Sequence, residues 1–238
     1  MGTARDFDDI LKQELNIHAA WLPIINTFKL GDYGLISDGV LVKAGNIRDD
    51  FGVTFAPAAG PRMQLNFTSK GTTVVRFVGG ATVTEFPDND IEAKLLVEFK
   101  RESSFLLKAS LTMTEMGDLN AVANKLKNEP QWQKNFRVVS AIYTSANCAI
   151  ISSKAAGSKI ELSGKAKALK QFDLGSASAE VQASLKEEIG LDIVGRKGVI
   201  GVGMFKLGWW RSLRTLSPDD NVPIETMQDW PNRLPDDV

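Results

Sequence analysis

Three runs between residues 72 and 113 alternate apolar and polar side chains, and they limit the fold more than anything else in the chain. They are Thr72-Thr73-Val74-Val75-Arg76-Phe77-Val78, Ala93-Lys94-Leu95-Leu96-Val97-Glu98-Phe99 and Phe105-Leu106-Leu107-Lys108-Ala109-Ser110-Leu111-Thr112-Met113. Residues two apart on a strand share a face. Leu95, Val97 and Phe99 therefore line one side of the second run, opposite Lys94 and Glu98. Phe105, Leu107, Ala109, Leu111 and Met113 line one side of the third, opposite Ser104, Lys108, Ser110, Thr112 and Thr114. Leu96 and Leu106 break the rule. The polar joint Lys100-Arg101-Glu102-Ser103-Ser104 reads as the turn of a long hairpin between the second and third runs. Such ribbons cover the core of a soluble sheet, the commoner case, or line a membrane barrel, where the period is the same.

The rest of the chain adds more strands and few helices. Residues 6–15 place Phe7, Ile10, Leu11 and Leu15 at helical spacing. The run Trp21-Leu22-Pro23-Ile24-Ile25 is interrupted by proline and reads as an edge strand or extended connector. Asp38-Gly39 between Tyr33–Ser37 and Val40–Lys43 signals a tight hairpin. Residues 51–55 read as a short strand, 56–61 as a loop, 63–67 as a strand, and Gly79-Gly80 as a bulge or bend. Asp118 caps a helix over 118–128, with Leu119, Val122, Ala123 and Leu126 as its stripe and Pro130 beyond its end. Residues 136–144, 148–153, 160–169 and 199–207 read as strands. Ala177, Ala179, Val181, Ala183 and Leu185 alternate, but Val181, Leu185 and Ile189 also sit at helical spacing, so both readings stay open there. The whole predicts an α+β fold with a twisted, mostly antiparallel central sheet and helices at its edges.

The chain divides in character near residue 207. Of 28 basic and 29 acidic residues, three and six fall in 208–238, which leaves the body with 25 and 23, or +2, and the tail at −3. The tail carries Pro218, Pro223, Pro231 and Pro235. Behind Pro223, Ile224, Met227 and Trp230 are spaced by three, as on a short helix. Two domains are expected: a body over 1–207 and a docked tail over 208–238. A net charge of −1 offers no footprint for nucleic acid. No signal peptide and no run of about 18 apolar residues is visible, so a soluble, cytoplasmic chain is expected.

Signs of catalysis are missing. His18 is the sole histidine, and it has no nucleophile elbow or activated cysteine beside it. Cys148, the sole cysteine, reads as a buried strand thiol. Metal-ligand spacings and a nucleotide fingerprint are lacking, and Gly198 to Gly203 reads as a bent strand. The residues give no catalytic, cofactor or metal site.

The order of elements resembles the pore-forming domain of gasdermins, above all the compact bacterial ones. The likeness rests on the first helix leading into Trp21-Leu22-Pro23-Ile24 and on the ribbon ending in Ala109-Ser110-Leu111-Thr112-Met113. It continues through the helix over 119–127 and through Trp132-Gln133-Lys134-Asn135-Phe136-Arg137-Val138-Val139-Ser140-Ala141-Ile142-Tyr143. Ala149-Ile150-Ile151-Ser152-Ser153, Ile160-Glu161-Leu162-Ser163-Gly164 and Gly198-Val199-Ile200-Gly201-Val202 complete it. The resemblance implies a non-enzymatic protein that self-assembles into a membrane pore. A short C-terminal tail would hold it inactive until an associated protease removes that tail, in bacterial antiphage cell death. It implies two membrane-inserting regions, about 72–113 and 163–194. The lipid-facing candidates are Leu95, Val97, Phe99, Phe105, Leu107, Leu111, Met113, Val181 and Leu185. It makes Ile224, Met227 and Trp230 the inhibitory contacts, with Arg211 and Arg214 as candidate cleavage positions. The implied partners are the protease, membrane lipids and further copies of the chain, with the cell inner membrane as destination after cleavage. The rival expectation is a β-rich structural or interaction protein that never meets a membrane. A hydrolase built on His18 or a carboxylate cluster is the third.

Overall fold

The computed structural model describes residues 3–37, 39–175, 180–207 and 213–215. In chain order the elements are α1 (Thr3–Leu15), β1 (His18–Ala19), β2 (Asp32–Ser37), β3 (Val40–Asn46), α2 (Ile47–Phe51), β4 (Pro57–Thr68), β5 (Thr72–Val78), β6 (Ala81–Val83), β7 (Glu92–Phe99), β8 (Phe105–Met116), α3 (Leu119–Lys127), β9 (Arg137–Ser153), β10 (Ser158–Lys165), α4 (Ala166–Asp173), β11 (Gln182–Glu187), β12 (Ile189–Leu207) and β13 (Leu213–Thr215). Eight strands pair in one sheet, along the order β1-β12-β9-β2-β3, with β13 on β12 and β8 between β9 and β4. Five more form the order β11-β10-β7-β5-β6. Every strand pair whose register is defined is antiparallel, so the fold is α+β.

Two compact units divide the chain. The first takes Met1–Pro61, Thr112–Thr144 and Gly198–Val238. Its α1 buries Phe7 and Leu11, as their spacing predicts. The β2–β3 hairpin turns at Gly39, whose positive φ of 79° suits a two-residue turn; Asp38 lies outside the described residues. Where a strand was expected over 51–55, Phe51 is the last residue of α2 and 52–55 are neither helix nor strand. Asn46 caps α2 by accepting the Arg48 N–H at 3.0 Å, and Gly52 ends it in the left-handed conformation. Asp118 caps α3 by accepting the Ala121 N–H at 3.0 Å, an interaction of about 1 kcal/mol. Val122, Ala123 and Leu126 then bury the inner face of α3 beside Val138 and Phe205. Four rings, Tyr33, Phe51, Trp132 and Phe136, close that core with centroids 4.9–5.6 Å apart.

The second unit takes Arg62–Leu111 and Ser145–Lys197. Its core gathers Leu95, Val97 and Phe99 from β7, Ile160 and Leu162 from β10, and Leu169 and Phe172 from α4. Leu106, Ala149 and Ile151 close the same core from β8 and β9. Each such side chain contributes roughly 1.5–3 kcal/mol of burial. β5 and β6 meet through Gly79-Gly80, both at positive φ, a two-residue turn rather than a bulge.

Several expectations are corrected. The runs at 93–99 and 105–113 do not form a hairpin, because β7 pairs with β5 and β10 while β8 pairs with β4 and β9. Leu106 explains why. In a one-sided hairpin it would face water, whereas a strand covered on both faces buries Phe105, Leu106 and Leu107 together. Residues 57–61 are strand rather than loop, since an edge strand tolerates Pro57 and Pro61 and Gly60 makes room for Met113. Residues 21–25 form turns held by the Ile24 N–H to the Val199 carbonyl at 2.9 Å. The expected strand over 160–169 stops at Lys165, where α4 begins. The expected pair 136–144 and 148–153 is one strand of 17 residues. There Ser145 satisfies itself by donating to the Asn147 carbonyl at 2.6 Å.

Candidate functional site

The site of interest is the apolar face of the five-stranded sheet in the second unit. β7 is its spine. On one side Thr72↔Phe99 to Val78↔Ala93 pair it with β5, and on the other Ser158↔Phe99 to Lys165↔Glu92 pair it with β10. Val74, Val97 and Ile160 share one row, while Leu95 and Leu162 share another in which Arg76 of β5 is the one charged member. Leu95, Val97, Phe99 and Val181 are in the core that α4 covers. Phe105, Leu107 and Leu111 are buried on β8, and Met113 packs against Gly60 in the first unit. Leu185 on β11 is the exception, at 43% exposed. Spacing alone did not single out Ala166, Leu169 and Phe172 as part of this face. Their separation by three was the available signal, masked by a run that also alternates.

Residues 163–194 contain the end of β10, α4, β11 and the start of β12. The ambiguous run thus resolves as strand at 182–187, with Ala177 and Ala179 outside the described residues.

Arg211, Ile224, Met227 and Trp230 also lie outside the described residues. Arg214 is in β13, where its backbone stands opposite Lys206. β1 faces Gly201 and Val202 on β12, and β13 faces 205–207 on the same edge, β9 taking the other. The chain at Thr215 therefore heads toward the junction of β1 and α1.

That junction is charged and buried. Asp8 on α1 is 1% exposed; its carboxylate accepts the Ala19 N–H at 2.8 Å and meets Lys12 Nζ at 2.5 Å. His18 Nδ1 lies 3.4 Å from Asp8 Oδ1. Burial holds His18 below its ordinary pKa, against the pull of Asp8 and with the push of Lys12 and Arg137. This histidine anchors a helix.

Burial pushes the Cys148 thiol up to about 12, which removes it as a nucleophile at neutral pH. Among the described residues no three His, Cys, Asp or Glu are placed to hold a metal ion. No described helix is long and apolar enough to cross a membrane. A depression of about 550 Å³ in the second unit is lined by Asp90, Glu92, Ser163, Lys165, Glu180 and Gln182.

No family model and no curated protein matches the chain. Among solved structures it is similar to a bacterial gasdermin from Bradyrhizobium tropiciagri, at 12% identity over 89% of this chain and 90% of that one, with a TM-score of 0.39. It is also similar to the Gasdermin A3 membrane pore, at 12% identity over 88% of this chain and 93% of that one, with a TM-score of 0.34.

Proposed function

We propose that the chain is a latent pore-forming protein of the gasdermin type. Its tail, 208–238, keeps the body closed, and proteolysis within about 208–220 releases it, with Arg211 and Arg214 as candidate positions. The freed body, 1–207, leaves the cytoplasm for the cell inner membrane, assembles with further copies and inserts strands from 72–113 and 163–194. The purpose is cell-death defence in a bacterium. No catalysis and no cofactor enter the scheme.

One observation carries this reading. The pairs β5–β7 and β10–β11 lie side by side in one antiparallel sheet, whose apolar face is covered by the two-turn helix α4 together with Leu106 of β8 and Ala149 and Ile151 of β9. Lift those covers and the face matches the lipid-facing side of a barrel. The strands have 7, 8, 8 and 6 residues, short of the roughly 9–11 that span a bilayer. They must lengthen into the connections 79–91 and 166–181. The second connection carries a partial strand pattern beside its helical one. As a helix it buries Ala166, Leu169 and Phe172; as a strand it would set Ala166, Ala168, Phe172 and Leu174, with Lys170 among them, opposite Lys167, Leu169, Gln171 and Asp173.

Two further facts support a tail switch. The described chain ends its last strand heading toward α1. Removing the tail takes the net charge from −1 to +2, which favours an anionic leaflet by about 1 kcal/mol per basic residue near it. Covering Ile224, Met227 and Trp230 would contribute a few kcal/mol, at roughly 1.5–3 kcal/mol each, enough to bias a two-state body closed.

The test is dye release from liposomes of bacterial lipid. Intact protein is expected to leave them sealed, and protein cut between 208 and 220 to empty them while forming large oligomers. Cut protein that stays monomeric over sealed liposomes contradicts the proposal and favours a soluble interaction protein.

A further inference from the structure

Lys108 lies on the polar side of its strand, yet it is 6% exposed. Its ammonium donates to Asn66 Oδ1 on β4 and to the Asp173 carbonyl at 3.2 Å. Asp173 is the last residue of α4, and its carboxylate accepts from Arg76 Nε on β5 at 2.7 Å. One residue thus fastens the end of α4 to strands of both sheets in the second unit. The chain then leaves through Gly175 at φ 95°, a backbone conformation that side chains other than glycine's rarely adopt.

The opposite end of α4 is held by backbone bonds alone, from the Ala166 N–H to the Ile91 carbonyl at 2.8 Å and from the Lys167 N–H to the Asn89 carbonyl at 3.0 Å, because Lys165 provides no side-chain cap. Eight residues form a marginal helix by themselves. Packing of its apolar face, those two backbone bonds and the contacts of Asp173 therefore decide whether it stays down, and the side-chain part of that hold is at the Asp173 end.

The cluster is unbalanced. It holds two cations and one carboxylate, and Arg76 takes the carboxylate. Lys108 is left with two neutral acceptors in a dry place, where an ion is costly. Burial lowers its basicity, Asp173 partly restores it and Arg76 lowers it further.

We propose that Arg76, Asp173 and Lys108 form the release latch of the second unit: Asp173 holds α4 closed, while Lys108 loads the closed form with a cation that regains water when the helix lifts. The inference rests on the pore-forming reading for its purpose, but the latch itself is a property of the closed fold. Its signature is opposite signs. A cluster that is only structural weakens whichever member is removed. A loaded latch weakens when Asp173 goes and tightens when Lys108 goes.

The experiment is hydrogen exchange on the full chain, read at residues 166–175 with α1 and α3 as internal references. Asp173→Asn is expected to speed exchange in α4 roughly tenfold or more, the effect of one lost charge-assisted bond. Lys108→Met, which keeps the length and removes the charge, is expected to slow it roughly tenfold, with both references unmoved. If Lys108→Met speeds exchange as well, or leaves it unchanged, the latch is refuted, and this arm decides even if Asp173→Asn does not fold. Dye release by tail-cut protein separates the two ideas. Opposite exchange shifts over sealed liposomes keep the latch and discard the pore. Leaking wild-type protein without those shifts keeps the pore and discards the latch.

Discussion

Replacing Phe172 with alanine is expected to cost the second unit about 3–5 kcal/mol. Phe172 is fully buried in the core that holds Leu95, Val97 and Phe99 of β7 together with Ile160 and Leu162 of β10. Truncation removes its ring and leaves a cavity under the apolar face of the sheet. The neighbours that would have to collapse are held by strand pairing on both sides of β7. Leu174, two residues on, is 72% exposed, and its replacement by alanine is expected to change stability by less than about 0.5 kcal/mol. Urea unfolding, with hydrogen exchange at β7 and β10, measures both. If the protein forms pores, Phe172→Ala also shortens the delay before tail-cut protein empties liposomes, because it lowers the barrier to lifting α4.

The second large effect belongs to the first helix. Asp8→Ala is expected to destabilise the docking of α1 by about 3–5 kcal/mol, the usual result of removing one partner from a buried charged cluster. It strips the Ala19 N–H of its acceptor and leaves Lys12 and His18 without their carboxylate. The same cluster makes α1 sensitive to acid. The pKa of His18 is held below its ordinary 6.5 by burial, so the unfolded chain binds that proton more readily and stability falls as pH drops from 6.5. Burial alone would raise Asp8, but the hydrogen bond and charge of His18, with Lys12, bring it below 3.8. Its contribution is present above that value and is lost as pH falls through its folded pKa. Both signs agree: α1 is held at neutral pH and loosens in acid, first through His18 and then through Asp8. His18→Gln is expected to remove the upper limb and to weaken the lower one, because His18 supplies the largest part of the pull that lowers Asp8. Exchange at the α1 amides from pH 7 down to about pH 2 reads both limbs.

What the chain reveals without coordinates follows a physical line. Period-two alternation identified the inward face of β7, because burial on one side of a sheet is written locally in side-chain order. The cap at Asp118 and the turn at Gly39 were equally legible, since each acts within four residues, whereas Gly79-Gly80 showed a change of direction but not that it is a two-residue turn. Pairing was not. β8 looked like the partner of β7, and only Leu106 on the off side hinted that β8 is covered on both faces. The strand-like reading of 160–169 failed because Ala166, Leu169 and Phe172 satisfy a helix while Ala166, Ala168 and Phe172 also satisfy a strand. That double fit is what the proposed refolding would use. The latch was invisible for another reason. Arg76, Lys108 and Asp173 are far apart in sequence, and nothing local distinguishes a buried lysine from a solvated one. The roles given to Ile224, Met227, Trp230 and Arg211 concern residues outside those described.

The most direct test follows β7 from the closed fold into lipid. Tail-cut protein is incubated with liposomes carrying a photoactivatable acyl-chain probe, and the labelled residues are mapped by mass spectrometry. Label is predicted on Leu95, Val97 and Phe99 but not on Lys94 or Glu98, and only after the cut. A strand without label, or one labelled equally on successive residues, would contradict the claim that this buried face becomes the lipid-facing wall of a pore.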